Sequence, residues 1–479
     1  MSIIPLANGF YVSESKPISN QECVNLYPVT QQVKSLNKDN LLGTPGLNGL
    51  TSTGLIEEVN RGSIVKNGIP YFINGTTLYN VIKTTDSEGA ESFVSNALGI
   101  VAGTARVSLA TNGKQLFILV PGEKGYIYNE DSTSTNFVEI TDLDFRASGN
   151  PTYVVFIDSY FIWTTDQDKI ISSNVNNGLL WDALDFASVE SDPDNVVAPV
   201  VLNNQLWITG TITTEGFQAI RQTGVPGFPF QRNNVFLDKG CSSPHSLVKA
   251  NQSYFMIGRG QDEKACIWQF INSTYKKISS IAIDNVLQSY SQTELAEAFS
   301  IYYGEKGQFF VCFILPNTAL VYDLITNKWH ERKSRINEET TRWRVNSLVT
   351  AYDRLLVGDV VDGQIGELKK DVYTEYGIDI VRTFSLEPFA SMDGFSIPYI
   401  EITMESGVGN ETAPDPQVAL SISRDSKIFG PPKNRGIGKA GEFQRRIVWR
   451  RNGRVKRFSV MKFRVSDPVK IVFIKLEAK

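Results

Sequence analysis

Two histidines, His245 and His330, are all that 479 residues offer for imidazole chemistry. They sit in "SSPHSL" and "NKWHER", far from each other and outside any paired Cys/His set. A zinc site needs three or four converging ligands, so both are expected to be turn or surface residues. Two short stretches concentrate carboxylates: "TTDQD", Thr164 to Asp168, and "SDPDN", Ser191 to Asn195. Oxygen-rich loops can hold Ca²⁺, but neither spacing approaches a calcium-binding helix–loop–helix, and solvated loops are the expectation. No phosphate-binding glycine loop, HExxH or GxSxG is present. These residues therefore predict no catalytic centre, no metal and no cofactor. The carboxylate pair of a glycoside hydrolase meets only in the fold, so a carbohydrate-binding or carbohydrate-cleaving protein stands as the alternative.

The densest chemistry lies near the C-terminus. "RRIVWRRNGRVKRF", Arg445 to Phe458, has seven cations in fourteen residues. Asn452-Gly453 between β-prone runs predicts a hairpin with a type I′ turn. That register would set Arg451 opposite Arg454, Trp449 beside Lys456 and Ile447 opposite Phe458. Cation against cation is unfavourable across a strand pair. Trp449, Arg450, Arg451, Arg454 and Lys456 are accordingly the candidate interface residues, facing something anionic. Arginines around an aromatic anchor suit a protein partner; direct DNA binding and a plain solvated face are the competing readings.

The elements that must position these groups read as β throughout. The chain is 42% hydrophobic and 20% charged, ordinary for a folded protein. Net charge is −4, yet residues 431–479 carry 15 Lys/Arg against 3 Asp/Glu, so an acidic body ends in a basic tail. Cys23, Cys241, Cys266 and Cys312 are scattered, which predicts free thiols. No apolar run reaches a membrane-spanning length, and "MSIIPLANGF" lacks the features of a signal peptide. Hairpin patterns recur with turns near Asn67, Asn112, Asp158, Asn203, Asn251, Glu305 and Tyr352, 45 to 54 residues apart. The unit at Arg106–Thr141 reads as four strands. That is the layout of a propeller blade.

The predicted fold is therefore all-β. Residues 58–376 form a β-propeller of seven, possibly six, blades. Residues 1–57 form an N-terminal arm, packed partly on the C-terminal domain or closing the propeller as a strap around "LLGTPGLNGL". Residues 377–479, with six alternating strands, form a basic antiparallel β-sandwich that serves for docking.

Motifs in that last region carry a family resemblance. Ser423-Arg424-Asp425, Gly438-Lys439-Ala440-Gly441-Glu442-Phe443, Trp449-Arg450-Arg451-Asn452-Gly453-Arg454 and Ser466-Asp467-Pro468-Val469-Lys470 resemble a segment common in the tail hub, or nozzle, proteins of short-tailed bacteriophages. These are also called packaged DNA stabilization proteins or tail accessory factors. The opening "NLYPV" and "TPGL" are similar too. Where the family has Gly-Gly after the first Asp, Ser426-Lys427 stands here. The resemblance implies a non-enzymatic structural virion protein: a homohexamer below the portal and its adaptor ring, part of the DNA conduit and of the head–tail connector, made in the host cytoplasm. It also implies retention and ejection of DNA, and contacts with tail fibres or spikes and with a plug or needle. A conduit should not grip passing DNA, since each phosphate contact adds affinity, which favours a protein partner for the basic residues.

Overall fold

Tight turns punctuate the middle of the chain wherever short polar residues or glycine allow a left-handed backbone. Asn67 and Gly68 (φ 51° and 80°), Asp158 and Ser159 (47° and 75°) and Asn203 and Asn204 (51° and 57°) are two-residue hairpin turns. Gly113, Asn251, Lys306-Gly307 and Tyr352-Asp353 complete a set of seven. The sixth turn thus falls one residue beyond Glu305. Tyr352 is an unusual occupant of such a turn (φ 55°); its hydroxyl donates to the carbonyl of Val81 in another sheet, at 2.9 Å.

The computed structural model describes residues 2–6, 9–54, 58–130, 136–189, 194–220, 227–390 and 393–479. Each hairpin opens a four-stranded antiparallel blade. The first runs Asn60–Lys66, Ile69–Asn74, Thr77–Thr85 and Glu91–Ile100. Blades two to four begin at Ser108–Thr111, Pro151–Ile157 and Val196–Leu202. In the fifth, the inner strand is split into Gly240–Cys241 and Val248–Ala250 by a 3₁₀ turn at Pro244–Ser246. The sixth begins at Phe299–Glu305 and ends with Lys328–Ile336. The seventh has three strands of its own, Val345–Ala351, Arg354–Asp359 and Gln364–Lys369. Its fourth is Gly46–Ser52 from the N-terminal arm, with Leu47 opposite Leu368.

The second strand of every blade explains both the continuous apolar runs and the ring. Side chains alternate faces along a strand, and here both faces are buried. Leu116 packs toward Tyr71 of blade one and its neighbour Phe117 toward Trp163 of blade three. Ile162 and Leu206, Trp207 and Tyr254, Phe255 and Val311, then Phe310 and Val357 continue the series. Leu356 of blade seven meets Phe72 of blade one, which closes the ring. Seven inter-blade cores therefore replace one central core, and closure leaves each blade flanked on both sides.

The six expected sandwich strands form, at Arg382–Ser385, Tyr399–Met404, Gln417–Ser423, Ile447–Arg450, Phe458–Val465 and Val472–Ala478. The arm supplies more. Leu26–Thr30 and Asp39–Gly43 extend one sheet beyond Val472–Ala478. Cys23–Val24 lies between Lys328–Ile336 of blade six and Arg382–Ser385 of the other sheet, so hydrogen bonding runs from propeller into sandwich without a break. Asn25 locks this joint: its amide donates to the carbonyls of Lys333 and Val381, and its Oδ1 accepts from the Lys333 amide. The sandwich core gathers Leu26, Leu41, Phe384, Trp449, Phe463 and Phe473.

Candidate assembly surface

The basic stretch does not fold back on itself. Ile447–Arg450 pairs with Tyr399–Met404, with Trp449 opposite Ile400 and Arg450 opposite Tyr399. The chain then kinks and continues as Arg454–Val455 against Phe395–Ser396. Across the kink the Arg451 and Asn452 amides donate to the carbonyls of Pro398 and Ile397, both at 3.0 Å, and the Ile397 amide donates to Gly453 at 2.9 Å. Positive φ falls on Arg451 (56°) and Gly453 (87°) but not on Asn452, so the two consecutive left-handed residues of a type I′ turn are missing. The expected hairpin is thus corrected to one bent strand. A continuous partner, residues 395–404, is available throughout, so left-handed residues bend the strand rather than reverse it. Arg451 and Arg454 are not a facing pair, and Phe458 belongs to a strand of the other sheet.

Trp449 is also corrected. It is fully buried, its indole N–H donates to the Lys433 carbonyl at 2.7 Å, and its ring meets Phe463 edge-on at 5.8 Å. With Ile447 it occupies the inward positions of an alternating strand, so it holds the core and anchors no partner. The alternation Ile447, Trp449 against Arg446, Arg450 was the signal that could have placed it.

Arg450, Arg451, Arg454 and Lys456 are all exposed. Among the described residues none has a carboxylate partner, whereas Arg446 close by forks onto Glu401 at 2.8 and 2.7 Å. That hydrogen-bonded pair, with help from the Tyr399 hydroxyl, holds the Glu401 carboxyl down at about 2. Two residues that sequence reasoning missed join the unpaired group. Arg424 lies over Gly453, where an added Cβ would come within 2.6 Å of its Nη2. Lys433 follows from its carbonyl on Trp449. Arg424, Lys433 and Asn452 line a cleft of ≈ 510 Å³ together with Ile428 and Phe429. Ile428 is 76% exposed. These residues come from separate strands, which is why no single stretch announced the cleft.

Its rim is shaped by the motif that departs from the family's Gly-Gly. Asp425 Oδ1 accepts from the Ser423 hydroxyl and from the amides of Lys427 and Ile428 at 2.8–2.9 Å. Ser426 takes a left-handed conformation (φ 60°) where the family has glycine. Ser426 thus adopts the backbone conformation that glycine takes at least cost.

The remaining candidates are structural. His245 lies in the 3₁₀ turn Pro244–Ser246, half-buried, as a turn residue, whereas His330 is corrected from a turn or surface position to an enclosed strand. His330 is 1% exposed, wedged between Tyr27 and Phe310, and burial drives its pKa down to about 3. His245 packs on Tyr153, and burial together with Arg106 lowers it likewise. Asp166 ties down Asn150 through its backbone and side-chain amides. Residues 191–193 of "SDPDN" lie outside the described residues; Asp194 accepts from the amides of Thr211, Ile212 and Thr213. Among the described residues no three His, Cys, Asp or Glu side chains gather as a metal site.

Comparison with known proteins gives a consistent picture. The sequence profile described as "Bacteriophage P22 Gp10, beta-propeller" matches residues 2–373, and "Bacteriophage P22 Gp10, beta-sandwich" matches residues 386–479. The tail hub protein gp10 of Salmonella phage P22 is 19% identical over 410 residues, 84% of each chain. Similar solved structures include the WD40 β-propeller domain of Doa1, with a TM-score of 0.41 and 8% identity over 67% of this chain and 96% of that one. The computationally designed Ika8 protein aligns with a TM-score of 0.36 and 10% identity over 67% and 99%.

Proposed function

This chain belongs to the bacteriophage P22 Gp10 family, and on that premise we propose that it is a structural hub of a phage tail. The observation that carries the reading is the match of both regions, propeller and sandwich, to that family. In this reading six copies form a ring below the portal and its adaptor, extend the DNA conduit, help retain packaged DNA and anchor fibres, spikes or a needle. The chain works by packing and docking rather than by catalysis. A closed propeller suits such a role, because its blades pack face to face around the ring and leave only their outer strands as edges. The exposed cations of the sandwich are the docking face. Arg450, Arg451, Arg454 and Lys456 would meet an acidic surface on a neighbouring subunit or the adaptor. Exposed ion pairs contribute about 0–1 kcal/mol each, but a ring repeats them in every copy.

Sedimentation or electron microscopy of the purified chain, alone and with its adaptor, tests the hub. A ring of six is expected; a stable monomer in both settings that cleaves glycosides would overturn it. Arg451→Glu with Arg454→Glu tests the face. Folding should persist, since both side chains project into solvent, while assembly weakens. High salt should weaken wild-type assembly in the same direction. Normal assembly with DNA leaking from the particle would place these residues in the conduit instead.

A further inference from the structure

The innermost strands of the propeller surround a channel of ≈ 320 Å³ whose lining includes Arg106, Tyr153, His245, Lys249, Phe299 and Asn346 and, among the described residues, no Asp or Glu. Arg106 belongs to that lining, and a second arginine, Arg342, approaches the same Phe299 ring from just beyond it. The Arg106 guanidinium lies 3.5 Å from the centroid of Phe299 and the Arg342 guanidinium 5.4 Å from it. Asn346 ties both: its carbonyl accepts from Arg106 Nη2 and its Oδ1 from Arg342 Nη2, each at 2.8 Å.

Other enclosed arginines of this protein show what a purely structural one looks like. Arg61 donates to four backbone carbonyls, those of Gly75, Val101, Ala102 and Ala105. Arg344, two residues from Arg342, has a bidentate carboxylate in Asp359 at 2.7 and 2.8 Å. Arg106 has one such bond. Its Nε and Nη1, and Nε of Arg342, have no protein acceptor among the described residues, and none of the three is sealed from water. The one carboxylate that reaches Arg342 electrostatically, Asp359, is already forked by Arg344, so two neighbouring guanidiniums share less than one counter-charge, which is unfavourable. Burial lowers both guanidinium pKa values, that of Arg106 to about 9 with help from Arg342, and that of Arg342 to about 10.

We infer that the propeller channel binds one phosphate-class dianion, held by the free donors of Arg106 and Arg342. The planar fork of arginine matches phosphate oxygens in pairs. Two cations balance a dianion, and the neutral imidazole of His245 and the hydroxyl of Tyr153 lie within the same wall as further hydrogen-bonding groups. The ligand is either free inorganic phosphate or the phosphate of a monoester such as a nucleotide.

Isothermal titration of the full chain with inorganic phosphate and with AMP, in low-chloride buffer, tests this. One site per chain is expected. Tighter binding of phosphate assigns the free ion, and tighter binding of AMP assigns the monoester. Arg106→Gln with Arg342→Gln should weaken binding at least tenfold. Absence of binding by both ligands, or unchanged affinity in a folded double variant, overturns the inference. If that variant does not fold, wild-type protein answers: phosphate should slow phenylglyoxal modification of Arg106 several-fold, read by peptide mass spectrometry, and leave exposed Arg450 unaffected. Equal rates at Arg106 with and without phosphate would overturn it as well.

Discussion

The propeller and the sandwich are both antiparallel β-structure, yet they choose strand partners by different rules. A propeller strand pairs with the next one along the chain, and its turn residues decide the register. Among the described residues, only the fourth strand of blade seven comes from far away. The sandwich borrows Leu26–Thr30 and Asp39–Gly43 from the other end of the chain and sets Ile447–Arg450 against Tyr399–Met404. Asn-Gly at residues 67–68 makes a hairpin because nothing competes for its strands. Asn-Gly at residues 452–453 does not, because a longer partner strand is already at hand. A turn signal is thus decisive where contacts are local and subordinate where they are not.

The largest expected effects test whether the two cores are equally tight. Trp207, between blades four and five, and Trp449, in the sandwich, are both buried. Replacing either by alanine should cost about 3–5 kcal/mol, read from denaturant unfolding. Trp449→Ala also orphans the Lys433 carbonyl, so it should be at least as damaging as Trp207→Ala. A cost under about 1 kcal/mol for Trp449→Ala would return that residue to the surface and revive it as an interface anchor.

A smaller effect probes the joint between the regions. His330 lies on the blade-six strand that continues through Cys23–Val24 into the sandwich, and among the described residues neither ring nitrogen has a hydrogen-bond partner. Its pKa is lowered to about 3 in the folded protein, against 6.5 for the free side chain. Between those values the unfolded chain binds the extra proton. Stability is therefore fully present above pH 6.5 and lost as pH falls toward 3, by at most about 1.4 kcal/mol per pH unit. His330→Phe keeps an aromatic between Tyr27 and Phe310 and removes the titrating group. Denaturant midpoints from pH 7 to 4 should fall less steeply in this variant. An unchanged slope would mean that the joint admits water.

These contrasts mark what was legible in the sequence. The all-β class, the seven hairpins and the six C-terminal strands followed from period-2 patterns and turn residues, which are local. In the strands Gln115–Val120 and Gln205–Gly210 alternate residues serve alternate blades, as a period of two allows. The enclosure of His330 was not legible, since it depends on rings from Tyr27 and Phe310, one of them far along the chain. The exposed cations were legible as a group, but their true neighbours were not. Arg424 and Lys433 reach that face through pairings that no short window contains.

The smallest effect separates paired from unpaired charge on one sheet. Arg446 and Arg450 sit four residues apart, but only Arg446 meets a carboxylate, Glu401. That carboxyl titrates near 2 in the folded state against an ordinary 4.5. A depressed carboxyl stabilises the fold above its unfolded pKa and loses that contribution as pH falls, here from about 4.5 toward 2. Arg446 is largely exposed, so solvent screens the pair and its worth is modest. Glu401→Gln should therefore lower stability slightly at pH 7, with the gap from wild type closing as pH approaches 2. Its effect on assembly should be opposite to that of Arg451→Glu with Arg454→Glu. Removing Glu401 frees a cation beside the docking face, so binding to an acidic partner should hold or tighten. If Glu401→Gln weakens assembly as much as the double reversal does, the paired and unpaired cations act as one surface, and the division between structural and docking charge fails.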